Sequence, residues 1–85
     1  MQINIKASDT KKLIENIREY YFKNGRDVET TEVLIEIRGG NKTTLKEITE
    51  ICKEISKNIN DNATINLSTF FENEMNLKEV TITTK

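Results

Sequence analysis

The residues of this 85-residue chain that could do chemistry are few, and each falls short of a working set. Glu29, Glu32 and Glu36 lie close enough along the chain to pair as acid and base. Nothing around them marks a perturbed pKa, and an exposed strand face accounts for them. Gly39-Gly40-Asn41-Lys42-Thr43-Thr44 sits between an apolar strand pattern and a helical one, where phosphate-cradling loops occur. The P-loop spacing fails, because Asn41 stands where the glycine before the lysine must be and Glu36 where the first glycine must be. The segment reads as a structural turn. Glu72 and Glu74 with Asn73 and Asn76 offer oxygen ligands, but without the EF-hand spacing or its glycine they read as a solvated loop. Cys52 is the only cysteine, so no internal disulfide forms, and its place on an apolar helical stripe makes it a small core residue. The chain has no histidine, which removes the commonest general base and metal ligand. These residues assign no catalytic group, no metal and no cofactor.

Composition narrows the class further. Thirteen basic residues against fourteen acidic ones give a net charge of −1, which favours neither a nucleic acid nor an anionic membrane as partner. A chain of this length buries roughly 60–65% of its unfolded surface, enough for one core, so residues 1–85 form a single domain. The first residues lack the apolar run of a signal peptide, and no segment approaches the ~20 apolar residues of a membrane span. A cytoplasmic setting is expected.

The elements that must position these residues follow from periodicity. Ile3 and Ile5 alternate with polar residues in a short first strand that ends near Ala7. Ser8 is the expected N-cap of the first helix, with Asp9 in its first turn. Leu13, Ile14, Ile17, Tyr20 and Tyr21 give that helix one apolar face to about Phe22 or Lys23, and Gly25 closes it in a left-handed conformation. Only two of the adjacent rings Tyr20, Tyr21 and Phe22 can face the core well. The second strand runs from Glu32 to Arg38, with Val33, Ile35 and Ile37 on one face and Leu34, Glu36 and Arg38 on the other. Gly39-Gly40 breaks the chain there, and Thr44 with Glu47 forms a capping box for a second helix. Its buried stripe is Leu45, Ile48, Ile51, Cys52, Ile55 and Ile59, with Lys46, Glu50, Lys53, Glu54 and Lys57 toward solvent. The third strand alternates from Ala63 to Phe71, with Ile65, Leu67, Thr69 and Phe71 on one side. The last strand carries Val80 and Ile82. The short loop between these two strands makes antiparallel pairing between them the default.

The order β-α-β-α-β-β predicts an α+β fold: a four-stranded mixed sheet with both helices on one face. The opposite face is Thr- and Asn-rich, with Leu34 and Phe70 as its apolar exceptions. An apolar side chain there needs a neighbour or a partner, so Leu34, Glu36, Arg38 and Phe70 mark the expected interaction surface.

With the elements placed, the chain from about Ile5 to Thr83 resembles the C-terminal, tubulin-like domain of the bacterial cell-division protein FtsZ. The resemblance rests on Ile5-Lys6-Ala7-Ser8-Asp9, Val33-Leu34-Ile35-Glu36-Ile37-Arg38-Gly39-Gly40, Leu45-Lys46-Glu47-Ile48, Asp61-Asn62-Ala63-Thr64, Glu74-Met75-Asn76 and Val80-Thr81-Ile82-Thr83. In that family an asparagine and a threonine usually occupy the places of Glu36 and Arg38, and an arginine often stands near Glu79. The connector from Asn24 to Thr31 also differs in composition. The resemblance implies strand order 1-4-2-3. It carries no GTPase activity, because the GTP-binding half and the acidic loop that completes a neighbour's site lie outside the matched segment. It implies a non-catalytic domain acting by protein–protein contact, with FtsZ or another filament protein or by self-association, capping or modulating the filament. Two alternatives stand beside it. One is a small trimeric enzyme similar to the chorismate mutase-like proteins, with Arg18, Arg26 and Arg38 holding an anionic substrate between subunits. The other is a remnant or excised domain with no independent role.

Overall fold

The computed structural model describes residues 1–72 and 77–84. Its elements are β1 (Gln2–Ala7), α1 (Thr10–Asn24), β2 (Glu32–Gly40), α2 (Leu45–Ser56), β3 (Thr64–Glu72) and β4 (Lys78–Thr84). The strands form one mixed sheet in the order β1-β4-β2-β3. β4 is antiparallel to both β1 and β2, while β3 runs parallel to β2. The expected α+β architecture and strand order are therefore present. The antiparallel β3–β4 pair favoured by their short connection is not, because β2 lies between them. β2 offers β3 nine paired residues, one for every residue of the strand.

One face of the sheet is the core. Across it, Ile3–Ile82–Ile35–Leu67 and Ile5–Val80–Ile37–Thr69 lie in register. Leu13 and Ile17 from α1, and Ile51 and Ile55 from α2, are fully buried with Val33, Ile35, Ile37, Val80 and Ile82. Burial is complete on β4 and β2 but stops at β3: Ile65 is 40% exposed, Leu67 46% and Phe71 42%. The helices cover three strands and leave the fourth.

Local signals set the element ends. Asp9, not Ser8, caps α1: its φ is −151° and its Oδ1 accepts the Lys12 N–H at 2.8 Å. Two adjacent residues with capping side chains compete here, and sequence alone does not choose between them. Gly25 ends the helix with φ 84°, a region that favours glycine, although its ψ of 162° is extended and not left-handed helical. At α2 the capping box is complete. The Thr44 N–H donates to Glu47 Oε2 at 2.7 Å, and the Glu47 N–H donates to Thr44 Oγ1 at 3.2 Å.

The glycine pair is not the break it was expected to be. β2 runs through both glycines, paired with Phe71 and Glu72, and the turn is the next step, from the Gly40 carbonyl to the Thr43 N–H at 3.0 Å. Gly39 is small because the chain folds back over it. A Cβ there would stand 2.7 Å from Thr43 Oγ1, the hydroxyl that accepts from Lys78 Nζ at 3.0 Å.

Two residues of α2 are also misplaced by periodicity. Leu45 is 78% exposed and does not join the stripe, while Glu54 is buried at 6% exposure and does not point to solvent. Arg18 reaches Glu54 Oε1 at 2.8 Å, and Lys57 stands at 3.9 Å. Tyr21 is buried, Tyr20 packs edge-on against it with ring centroids 5.2 Å apart, and Phe22 is left 88% exposed.

Among the described residues, the buried Tyr21 hydroxyl has no hydrogen-bond partner. Burial, with lesser contributions from Tyr20 and Asp27, pushes this phenol up from 10.0 to about 12. A group whose folded pKa is raised adds stability that is present below the unfolded value and lost as pH rises through the folded one. Tyr21→Phe keeps the ring and removes the orphaned hydroxyl. It is expected to raise stability by up to about 1 kcal/mol at neutral pH. It should also flatten the fall in stability between pH 10 and 12, as thermal melts across that range will check.

Candidate interaction surface

The sheet face opposite the helices is a grid of paired side chains. Register places Lys6–Glu79–Arg38–Phe70 in one row, Asn4–Thr81–Glu36–Ser68 in the next, and Gln2–Thr83–Leu34–Asn66 in the third. The rows are tied across strands. Glu79 faces Lys6 at 3.5 Å and Arg38 at 3.9 Å. Asn4 Nδ2 donates to Thr81 Oγ1 at 2.9 Å. The Arg38 guanidinium then lies over the Phe70 ring, 5.0 Å from its centroid. Such a stack is worth about 0.5–1 kcal/mol at an exposed site and more once water is excluded.

All four residues expected at an interaction surface fall on this face. Arg38 and Phe70 are direct partners, and Phe70 stays 44% exposed. Glu36 is half-buried in the adjacent row. Leu34 lies two residues beyond it, also half-buried, in a hollow of about 270 Å³ lined by Glu32, Val33, Leu34, Asn66 and Thr83. Leu34 thus has neighbours of its own, and Phe70 is the apolar side chain most in want of one. Arg38 is the register partner of Glu79 here, with Glu36 in the adjacent row.

The other candidates disperse. Arg18 is engaged by Glu54 on the helix layer, Arg26 Nε donates to the Lys57 carbonyl at 3.0 Å, and Arg38 is on the opposite face. One chain therefore gathers no cluster of three guanidiniums. The start of α2, where an anion could sit, is taken by the chain's own Glu47. The Thr44 N–H first, then Thr10 and Lys78, hold the Glu47 carboxyl below the usual carboxylate range. Cys52 is partly buried, and burial pushes its thiol up, away from the reactive thiolate. Of the acidic loop, Glu72 is the last residue of β3, while Asn73, Glu74, Met75 and Asn76 lie outside the described residues. No group of three or more His, Cys, Asp or Glu is placed to hold a metal among the described residues. Nor is any helix among them long and apolar enough to cross a membrane.

The inner side of β3 is not sealed by the helices as alternation alone would suggest. Its apolar row lies on the helix side of the sheet, yet Ile65, Leu67 and Phe71 stay 40–46% exposed. The available signal was the exposed flank of α2: Leu45, Thr49, Cys52 and Ser56 recur at helical spacing beside the buried stripe, too polar overall to cover another strand.

No protein-family model and no curated protein matches this sequence. In structure, all of the chain matches part of an FtsZ from M. jannaschii solved as an empty dimer, with a TM-score of 0.74 at 19% identity. The fold is that of the C-terminal domain of FtsZ. A tryptophan-to-tyrosine mutant of M. jannaschii FtsZ matches the whole chain as well, with a TM-score of 0.71 at 21% identity. The chain spans about a quarter of the length of these FtsZ chains, 26% and 27%. Across this FtsZ-type sheet, exposure separates surface residues from core ones, and stability will follow it. Phe70→Ala is expected to cost less than about 1.5 kcal/mol, against about 2–5 kcal/mol for Ile35→Ala in the core. Urea unfolding of the two variants checks the contrast.

Proposed function

We propose that this chain is a non-catalytic domain of the FtsZ C-terminal type that acts by protein–protein contact. Its partner in this reading is an FtsZ-type filament in the bacterial cytoplasm, which it caps or modulates in cell division without turning over nucleotide. Support comes from the match of the whole chain to one quarter of an FtsZ. The observation that carries the reading is the Arg38–Phe70 stack on the sheet face without helices, with Glu36 beside it. Aromatic and arginine side chains are the residues that most often anchor an interface, and a stacked guanidinium is already ordered for the contact.

Co-sedimentation with FtsZ polymers tests the reading. The wild-type chain is expected to pellet with polymer and to reduce polymer mass. Phe70→Ala and Arg38→Ala should each weaken that binding roughly tenfold or more, the scale of an interface anchor. A chain that stays in the supernatant, with polymer mass and GTP turnover unchanged, refutes it.

A further inference from the structure

β3 is an end strand of the sheet and differs from an ordinary one. All nine of its residues except Ser68 are exposed, and on the helix side Ile65, Leu67 and Phe71 remain 40–46% exposed. Natural edge strands carry prolines, bulges or inward-pointing charges that discourage pairing with another chain. Thr64-Ile65-Asn66-Leu67-Ser68-Thr69-Phe70-Phe71-Glu72 has no proline, no lysine and a single charge, at its last residue. It also has large apolar residues on both faces: Ile65, Leu67 and Phe71 toward the helix side, Phe70 toward the other.

The direction of its backbone groups follows from the parallel ladder. The Thr64 N–H donates to the Thr31 carbonyl at 2.9 Å, and Thr64 is the register partner of Glu32. In a parallel pair the N–H and C=O of one residue point to the same side, and successive residues alternate. Thr64, Asn66, Ser68, Phe70 and Glu72 therefore bond to β2. Ile65, Leu67, Thr69 and Phe71 turn their N–H and C=O groups outward, where β3 has no neighbouring strand among the described residues.

We propose that this edge pairs with β3 of a second copy, antiparallel and centred on Ser68, joining two sheets into one of eight strands. The strand is self-complementary in that register. Hydrogen-bonded pairs must be made by the outward-facing residues, and centring on Ser68 uses all of them: Ile65 opposite Phe71 of the partner copy, and Leu67 opposite Thr69. The apolar rows of the two copies then merge on the helix side. On the other face Asn66 meets Phe70, Ser68 meets Ser68 on the two-fold axis, and each Glu72 meets Thr64, so the only charges do not oppose each other. An isologous two-fold contact of this kind closes on itself and leaves no β3 edge free. The four large side chains, each 40–46% exposed, offer on the order of 300 Å² per copy, below the ~800 Å² of a standard interface. The contact is therefore a weak and reversible one. This contact goes beyond the filament reading and does not depend on it.

The test is sedimentation equilibrium of the purified chain across the micromolar range, with variants chosen from the backbone directions. Wild type is expected to pass from monomer to dimer. Thr69→Pro removes an outward N–H and no bond to β2, and should weaken dimerisation at least tenfold while the chain stays folded by circular dichroism. Leu67→Lys puts a charge on the open edge with no change in backbone, and should do the same. The register is read in a Cys52→Ala background. Ser68→Cys places two thiols on the axis at a Cα separation of about 4.5 Å, within disulfide reach. It should cross-link on mild oxidation, and Asn66→Cys should not. A monomer throughout the range overturns the proposal. So does a dimer indifferent to both Thr69→Pro and Leu67→Lys, or faster cross-linking at Asn66→Cys than at Ser68→Cys.

Discussion

The position of α2 against α1 decides what the rest of the molecule presents. Beyond their shared apolar core, two side-chain hydrogen bonds tie the helices together: Thr10 Oγ1 donates to Glu47 Oε1 at 3.0 Å, and Arg18 Nη2 donates to Glu54 Oε1 at 2.8 Å. Glu54 is the stronger constraint. A carboxylate this buried would be costly without its partner, so α2 cannot move toward β3 without either stranding that charge or dragging α1 with it. At the end of the sheet Lys78 closes the arrangement, donating to Thr43 Oγ1 and standing 3.7 Å from Glu47. Held in this way, the isoleucine stripe of α2 is buried in one cluster with residues of β2 and β4, while the apolar row of β3 stays 40–46% exposed. The exposed β3 is a consequence of the helix seam.

Much of the fold is legible in the sequence because it rests on local rules. Period-two and period-3.6 patterns mark every element, and the Thr44–Glu47 box fixes the start of α2 at the right residue. Local rules also explain the errors. A double glycine is the strongest turn signal available, yet Gly39 and Gly40 stay in β2 because β3 pairs with them and Thr43 needs the space above Gly39. The short connection from β3 to β4 argues for a hairpin, but nine register pairs with β2 outweigh chain proximity. Helical periodicity cannot show that Glu54 is buried, since the reason is an arginine 36 residues away. Nor does it show that Leu45, in the first turn of α2, stays 78% exposed.

The candidate surface was legible in a different sense. Alternation alone puts Leu34, Glu36 and Arg38 on one face of β2, and Phe70 on the corresponding face of β3. What alternation could not give was the register that sets Arg38 beside Phe70 and opposite Glu79. That register gathers separate residues into one neighbourhood, with Lys6, Glu79 and Arg38 alternating in charge up to the aromatic ring. Exposed ion pairs of this kind add little to stability. Their effect is to order the guanidinium and to give the face a charge pattern a partner can read.

The claim on which both the surface and the dimer depend is that β3 is a one-sided strand, bonded to β2 by alternate residues and open on the other side. Site-resolved amide exchange on dilute, monomeric protein measures this directly. The amides of Asn66, Ser68, Phe70 and Glu72 are predicted to be protected, and those of Ile65, Leu67, Thr69 and Phe71 to exchange at least about tenfold faster. Equal protection along the whole strand would contradict the account.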